Sequence, residues 1–166
     1  DYDNDGDLDW FVSSIYLQDE FFPPIAQRTG NRLYRNLGEG VFDDVTTEAG
    51  VRDGNWGWGS AFGELDNDGD LDLFHVNGWS RTEYGSTVLG SFNNQPARLY
   101  ENLGDGTFLD AAETAGAGDR GQGRGTILFD YDNYGDLDIY IANNQDIRIQ
   151  GNSVERSPGT PALLRN

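Results

Sequence analysis

The sequence contains no cysteine, no methionine and no lysine, and only one histidine, His75. Without cysteine there is no disulfide, no thiol nucleophile and no cysteine-bound zinc. Without lysine there is no Schiff-base chemistry and no phosphate-cradling P-loop lysine. A single histidine with no paired nucleophile cannot build a Ser–His–Asp relay. All 11 basic residues are arginines; they face 29 acidic residues, for a formal charge of -18. Such a chain repels phosphate, which excludes nucleic acid as a partner. No apolar run approaches the ~18 residues of a membrane-spanning helix, and no signal peptide is visible. No N-x-S/T acceptor for glycosylation occurs. The chain opens on Asp1 rather than methionine, as expected of a processed chain or a piece of a longer one.

What remains is distinctive. The chain has 166 residues, enough for one domain or two to three small repeats. Aromatics make up 13%, enough to supply a core and to argue against disorder. Fourteen of the 29 acids fall in three nine-residue runs: Asp1–Asp9, Glu64–Asp72 and Asp130–Asp138. At about 4.5 Å and an effective dielectric near 20, each close carboxylate pair costs roughly 3–4 kcal/mol. A folded loop of this kind needs a cation. Carboxylates alone call for a hard ion, calcium before magnesium or zinc, and D-x-D-x-D-G-x-x-D offers them at loop positions 1, 3, 5 and 9. The glycine at position 6 permits the turn that aims the position 7 carbonyl inward.

An EF-hand shares the first half of this pattern but requires glutamate at position 12 and a following helix. Position 12 here is Val12, His75 and Ile141. The residues after each loop, such as Leu73-Phe74-His75-Val76, are aromatic or branched and predict strands. His75, aligned with Val12 and Ile141, reads as a packed strand position. Trp10, Trp56 and Trp58 likewise read as packing residues.

The loops repeat in phase, Asp3 to Asp66 to Asp132. A second element repeats with them: Asn31-Arg32-Leu33-Tyr34-Arg35-Asn36-Leu37-Gly38-Glu39-Gly40-Val41-Phe42 returns at 97–108 and restarts at 162–166. A glycine-rich element, Gly57–Gly63, precedes the second loop and has its partner at 123–129. One unit of about 65 residues therefore predicts four strands, near 57–63, 72–77, 97–102 and 106–110, with the acidic loop between the first two. A short antiparallel sheet repeated at fixed period predicts an all-β fold of about two and a half four-stranded β-propeller-type blades. The expected division is 1–50, a blade lacking its first strand; 51–116, a complete blade; and 117–166, a blade lacking its fourth.

These residues resemble the FG-GAP repeat of integrin α-subunit propellers. The phrase D-Y-D-N-D-G-D-L-D followed by R-L-Y-R-N-L-G-E-G-V-F resembles still more the related VCBS repeats of secreted bacterial proteins. The resemblance implies two to three calcium ions, held by side chains at positions 1, 3, 5 and 9 and the carbonyl of position 7. The first site is then Asp1, Asp3, Asp5 and Asp9 with the Asp7 carbonyl. The second is Glu64, Asp66, Asp68 and Asp72 with the Asp70 carbonyl. The third is Asp130, Asp132 and Asp138 with the Asp136 carbonyl. Glu64 has to fold back a longer arm, and Tyr134 removes the position 5 carboxylate from the third site.

The expected role is a non-catalytic, calcium-binding extracellular scaffold for adhesion, recognition or assembly. The alternative is a carbohydrate-binding or accessory module of a secreted polysaccharide-acting enzyme. The segments between the second and third strands vary while their flanks repeat, and they carry Tyr16, Phe21, Phe22, Trp79, Tyr84 and Phe92. These are the candidate contacts for a protein or glycan ligand. Incomplete terminal blades are expected to pair with further blades of a longer chain or with neighbouring copies, giving a filament if the contact does not close.

Overall fold

The computed structural model describes residues 1–17, 28–78, 95–150 and 153–166. The first part of the chain forms β1 (Trp10–Val12), β2 (Tyr16–Leu17), β3 (Arg28–Thr29), β4 (Arg32–Asn36), β5 (Phe42–Asp44) and the one-turn helix α1 (Thr46–Ala49). The second forms β6 (Gly57–Gly63), β7 (Asp72–Asn77), β8 (Arg98–Asn102) and β9 (Phe108–Asp110). The third forms β10 (Gly123–Phe129), β11 (Asp138–Asn143), β12 (Asp146–Gln150), β13 (Ser153–Ser157) and β14 (Ala162–Leu164). These strands build three antiparallel sheets, ordered β1-β4-β5, β6-β7-β8-β9 and β10-β11-β14, which do not close into a ring. The four strands expected of the middle unit coincide with β6 to β9, with β8 and β9 one and two residues shorter at their starts.

The register is the same in each sheet. Trp10 faces Tyr34, Leu73 faces Tyr100 and Ile139 faces Leu164. The Leu-Gly-x-Gly turns form the hairpins that join β4 to β5 and β8 to β9. Gly38, Glu39 and Gly40 all have positive φ, and Leu37 N–H donates to Val41 O at 2.8 Å across the turn. Glycine takes such angles at no steric cost, which is why two of them flank the central residue of each turn.

The sheets stack face to face, so the middle sheet buries both faces. Leu73, Tyr100 and Phe108 join Tyr2, Leu33, Val45, Ala49 and Val51 in one apolar cluster. Phe74, Val76 and Leu99, on the alternate face, join Ile139 and Ile141 in another. Every residue of β7 is therefore buried. Each such large side chain contributes about 1.5–3 kcal/mol by leaving water. Glycine in β6 and β10 lets these strands approach: a Cβ on Gly59 would lie 2.8 Å from the Gly125 Cα.

Three features were not expected. The turn after β5 winds into α1 and ends at Gly50 with φ 79°, a left-handed helix cap. The segments between second and third strands hold hairpins, β2 with β3 and β12 with β13. Trp10 and Trp58 are 60% and 43% exposed rather than enclosed. Trp10 stands on the outer face of the first sheet beside Tyr34, 5.9 Å away. Trp58 is covered on one side by the Arg124 guanidinium, 4.4 Å from the ring.

Candidate metal centres

Each acidic run is a loop that enters β1, β7 or β11, the strand paired with β4, β8 or β14. Position 4 is asparagine in all three, with φ 59° at Asn4, 64° at Asn67 and 63° at Asn133. Position 6 is glycine, with φ 94°, 98° and 96°. These left-handed residues curl the chain so that its carboxylates converge. Carboxylate oxygens of Asp1, Asp3 and Asp5 lie within 4.8 Å of one another, as do those of Glu64, Asp66 and Asp72, and those of Asp130, Asp132 and Asp138. Asp9 and Asp68 stand outside these groupings.

Position 5 braces the loop as well as facing it. Asp5 Oδ1 accepts the Asp7 N–H at 2.8 Å, and Asp68 Oδ1 accepts the Asp70 N–H at 2.9 Å. Position 7 turns its side chain outward, towards the neighbouring hairpin. A Cβ on Gly38 would be 3.6 Å from an Asp7 carboxylate oxygen, and one on Gly104 would be 2.7 Å from Asp70. Glu64 does fold back, its oxygens accepting the N–H groups of Asp68 and Gly69 at 3.1 and 2.7 Å. Asp130 does the same for Tyr134 and Gly135.

Position 9 plays a different part. Asp72 and Asp138 are almost wholly buried, and the Asp9 side chain is fully so. Each accepts one N–H from loop position 2 and one from the asparagine that closes the third strand. The partners are Tyr2 and Asn36 for Asp9, Leu65 and Asn102 for Asp72, and Tyr131 and Asn166 for Asp138. The asparagines then reach further. Asn102 Nδ2 donates to Leu71 O and, across the sheet boundary, to Tyr2 O at 2.8 Å; Asn166 likewise reaches Leu65 O. Asn36, Asn102 and Asn166 were not singled out by the sequence reading, although they repeat in step with the loops.

Burial raises the carboxyls of Asp3 and Asp66, with their acidic neighbours adding to it. Asp72 is pushed up to about 6, chiefly by burial, against the pull of its two N–H donors. Buried oxygens of Asp1, Asp3 and Asp132 have no hydrogen-bond partner. Clustered, partnerless carboxylate oxygens with no nitrogen or sulfur donor among them fit a hard divalent cation, calcium above all.

The other expected site residues separate from these loops. Tyr16 lies in β2 opposite Thr29 and packs close to Gly30. Phe21, Phe22, Trp79, Tyr84 and Phe92 lie outside the described residues. His75 is fully buried, edge-on to Phe11 at 6.2 Å, as a packed strand residue should be. Its Nε2 lies 3.0 Å from Gly54 O, and since a carbonyl only accepts, this nitrogen carries the proton.

Residues 1–75, which hold two of the three loops, match the FG-GAP-like repeat. Over these residues the chain is similar to the FG-GAP family. The matched span takes in the first sheet, α1, β6, the second acidic loop and the start of β7. Among curated proteins, cartilage acidic protein 1 of Homo sapiens is 37% identical over 101 residues, covering 60% of this chain and 13% of its own length. The Xenopus tropicalis protein of the same name is 34% identical over 111 residues, 65% of this chain and 15% of its own. The Mus musculus protein is 35% identical over 101 residues. The chain thus spans a small fraction of the curated relatives it matches. No helix among the described residues is long and apolar enough to cross a membrane.

Proposed function

We propose that this chain is a calcium-braced, non-catalytic repeat scaffold of an extracellular protein, serving adhesion, recognition or assembly. The observation that carries the reading is the threefold recurrence of one converging carboxylate loop with buried, partnerless oxygens. The three sheets act as propeller-type blades, divided at 1–50, 51–116 and 117–166. The calcium ligands are those at positions 1, 3, 5 and 9 of each loop, with Tyr134 leaving the third loop one carboxylate short. Loops of this charge count suit the 10⁻⁴–10⁻³ M calcium that extracellular modules bind.

The matched relatives carry cartilage and acidity in their name, and this chain shares the acidity. Secretion or display at a cell surface follows from that likeness and from the calcium reading. The non-catalytic reading is supported by the engagement of the loop carboxylates with backbone N–H groups and by the sealed position of His75. The exposed apolar residues Trp10 and Val12 on the first sheet, and Ile127 and Leu163 on the third, suit contact with further sheets of the same kind, in the same chain or a neighbouring copy.

Thermal melts with calcium and with chelator test the reading. At a free calcium concentration 100-fold above its dissociation constant, each independent site adds about 2.7 kcal/mol. Two or three sites rival a domain's whole stability of about 5–15 kcal/mol. The midpoint should fall by many degrees in chelator; an unchanged midpoint after verified metal removal ends the calcium reading.

A further inference from the structure

We infer that the residue preceding each strand-closing asparagine, namely Arg35, Glu101 or Arg165, sets the order in which the three loops take up a divalent cation, with Arg165 acting as a resident counter-cation of the third. This rests on the calcium reading above and concerns residues outside the D-x-D-x-D-G-x-x-D pattern.

The three positions are equivalent by register. Each lies one residue before the asparagine whose N–H is held by the position 9 aspartate. Their backbones are therefore tied to their loops at the same point, and a change of side chain changes the charge beside the site without moving it. In the third unit the Arg165 guanidinium pairs directly with Asp132 Oδ2. Asp132 is one of the three converging carboxylates of that loop, and its other oxygen is buried without a partner. A divalent ion drawing on Asp132 must share it with Arg165 or displace the guanidinium. In the first unit, Arg35 pairs with Asp43 at 3.6 Å.

The second unit reverses the sign. Glu101 lines the same cleft as Asp66 and Asp72, a space of about 770 Å³ between the second and third sheets; Arg165 lines it from the facing sheet, with its guanidinium paired to Asp132. The second loop thus has four carboxylates at positions 1, 3, 5 and 9 and a fifth acid alongside. The first has four with an arginine alongside, and the third has three with an arginine bonded to one of them. The order of filling is second, first, third. A unit charge about 7 Å from a divalent ion at solvent-like screening changes affinity roughly tenfold.

Calcium titration calorimetry at low ionic strength on the whole chain provides the test, with calcium itself as the probe. Arg165→Gln should tighten the weakest class of sites about tenfold. It should also lower the melting midpoint in chelator, because Asp132 then loses its pairing with Arg165 while its loop stays crowded. Glu101→Gln should act in the opposite sense, weakening the tightest class about tenfold. Arg165→Lys, which keeps the charge, should stay within a few-fold of the parent. If Arg165→Gln fails to fold, Glu101→Gln and Arg165→Lys carry the same test. A weakest class unmoved by Arg165→Gln, or a tightest class unmoved by Glu101→Gln, overturns the inference while calcium binding stands. A parent chain that binds no calcium sinks the scaffold reading and this inference together.

Discussion

Lowering the pH should unmask His75, and the size of the effect follows from its surroundings. The ring is fully buried, donates from Nε2 to Gly54 O and faces Phe11. Burial pulls its pKa down to about 4, from an ordinary value near 6.5. The unfolded chain therefore takes up a proton near pH 6.5, whereas the folded one resists until about pH 4. Between these values the unfolded state binds more protons, so stability rises with pH. The contribution is whole above pH 6.5, shrinks as pH falls and is gone below about pH 4. At about 1.36 kcal/mol per pKa unit, the loss is about 2 kcal/mol by pH 5 and about 3 kcal/mol by pH 4. Asp72 opposes this when no cation is bound. Its folded pKa of about 6 is raised, so its share is held at low pH and lost as pH rises. A difference between two proteins removes that background. Urea denaturation of the parent and of His75→Ile, the residue found at the equivalent position 141, should be compared at pH 7.5 and pH 5 in chelator. At pH 7.5 the variant should be weaker by about 1–3 kcal/mol, because Gly54 O loses its donor. At pH 5 that gap should shrink by about 2 kcal/mol, or invert, with the urea slope unchanged. A gap independent of pH would refute the buried neutral histidine and the reasoning built on it.

Asn102→Ala should cost about 2–4 kcal/mol, since it leaves Tyr2 O, Leu71 O and the Gly104 N–H without their partner; urea midpoints check this, and calcium at the first and second loops should weaken together. Tyr134→Asp should restore the position 5 carboxylate of the third loop and tighten it; Tyr134 is 79% exposed, so little packing is lost. Calorimetry showing three equal sites in the parent, or weaker binding in this variant, would contradict that ranking.

The acidic loops and the strands around them were legible because their determinants are local. The aspartate spacing, the glycine at position 6 and the Leu-Gly-x-Gly turn each act within a few residues. The features missed depend on distant contacts or on marginal local preference. No pattern distinguishes Trp10, which stays on an outer face, from its counterparts Leu73 and Ile139, which are covered. The alternation of Ile147 and Ile149 was a strand signal for β12, but it lies inside a segment read as a loop because it does not repeat. The turn Thr46–Ala49 is too short to carry helical periodicity, and its counterpart near Ala111 stays a turn, with Ala115 N–H bonded to Ala111 O, Gly116 N–H to Glu113 O and Ala117 N–H to Ala112 O. The asparagine contacts span 27 to 101 residues.

Those asparagines join two levels of the structure that the sequence presents separately. Asp72 is held by Leu65 N–H within its own loop and by Asn102 N–H at the end of β8. Asn102 in turn donates to Tyr2 O, in the loop of the preceding sheet. Tyr2 is buried in the cluster between the first two sheets, its ring 5.7 Å from Phe108. A cation drawn to the second loop therefore acts on more than the loop. It favours the ionised form of Asp72, which burial opposes, and an ionised carboxylate is the stronger acceptor for Asn102. Tightening that bond holds Asn102 where its amide meets Tyr2 O, and so holds the first sheet against the second. The third unit repeats the connection through Asp138, Asn166 and Leu65 O. Loop charge, strand-end asparagine and sheet stacking are thus one mechanical series. The position 9 aspartate is its pivot, because it alone in each loop bonds both to the loop and to the end of the third strand.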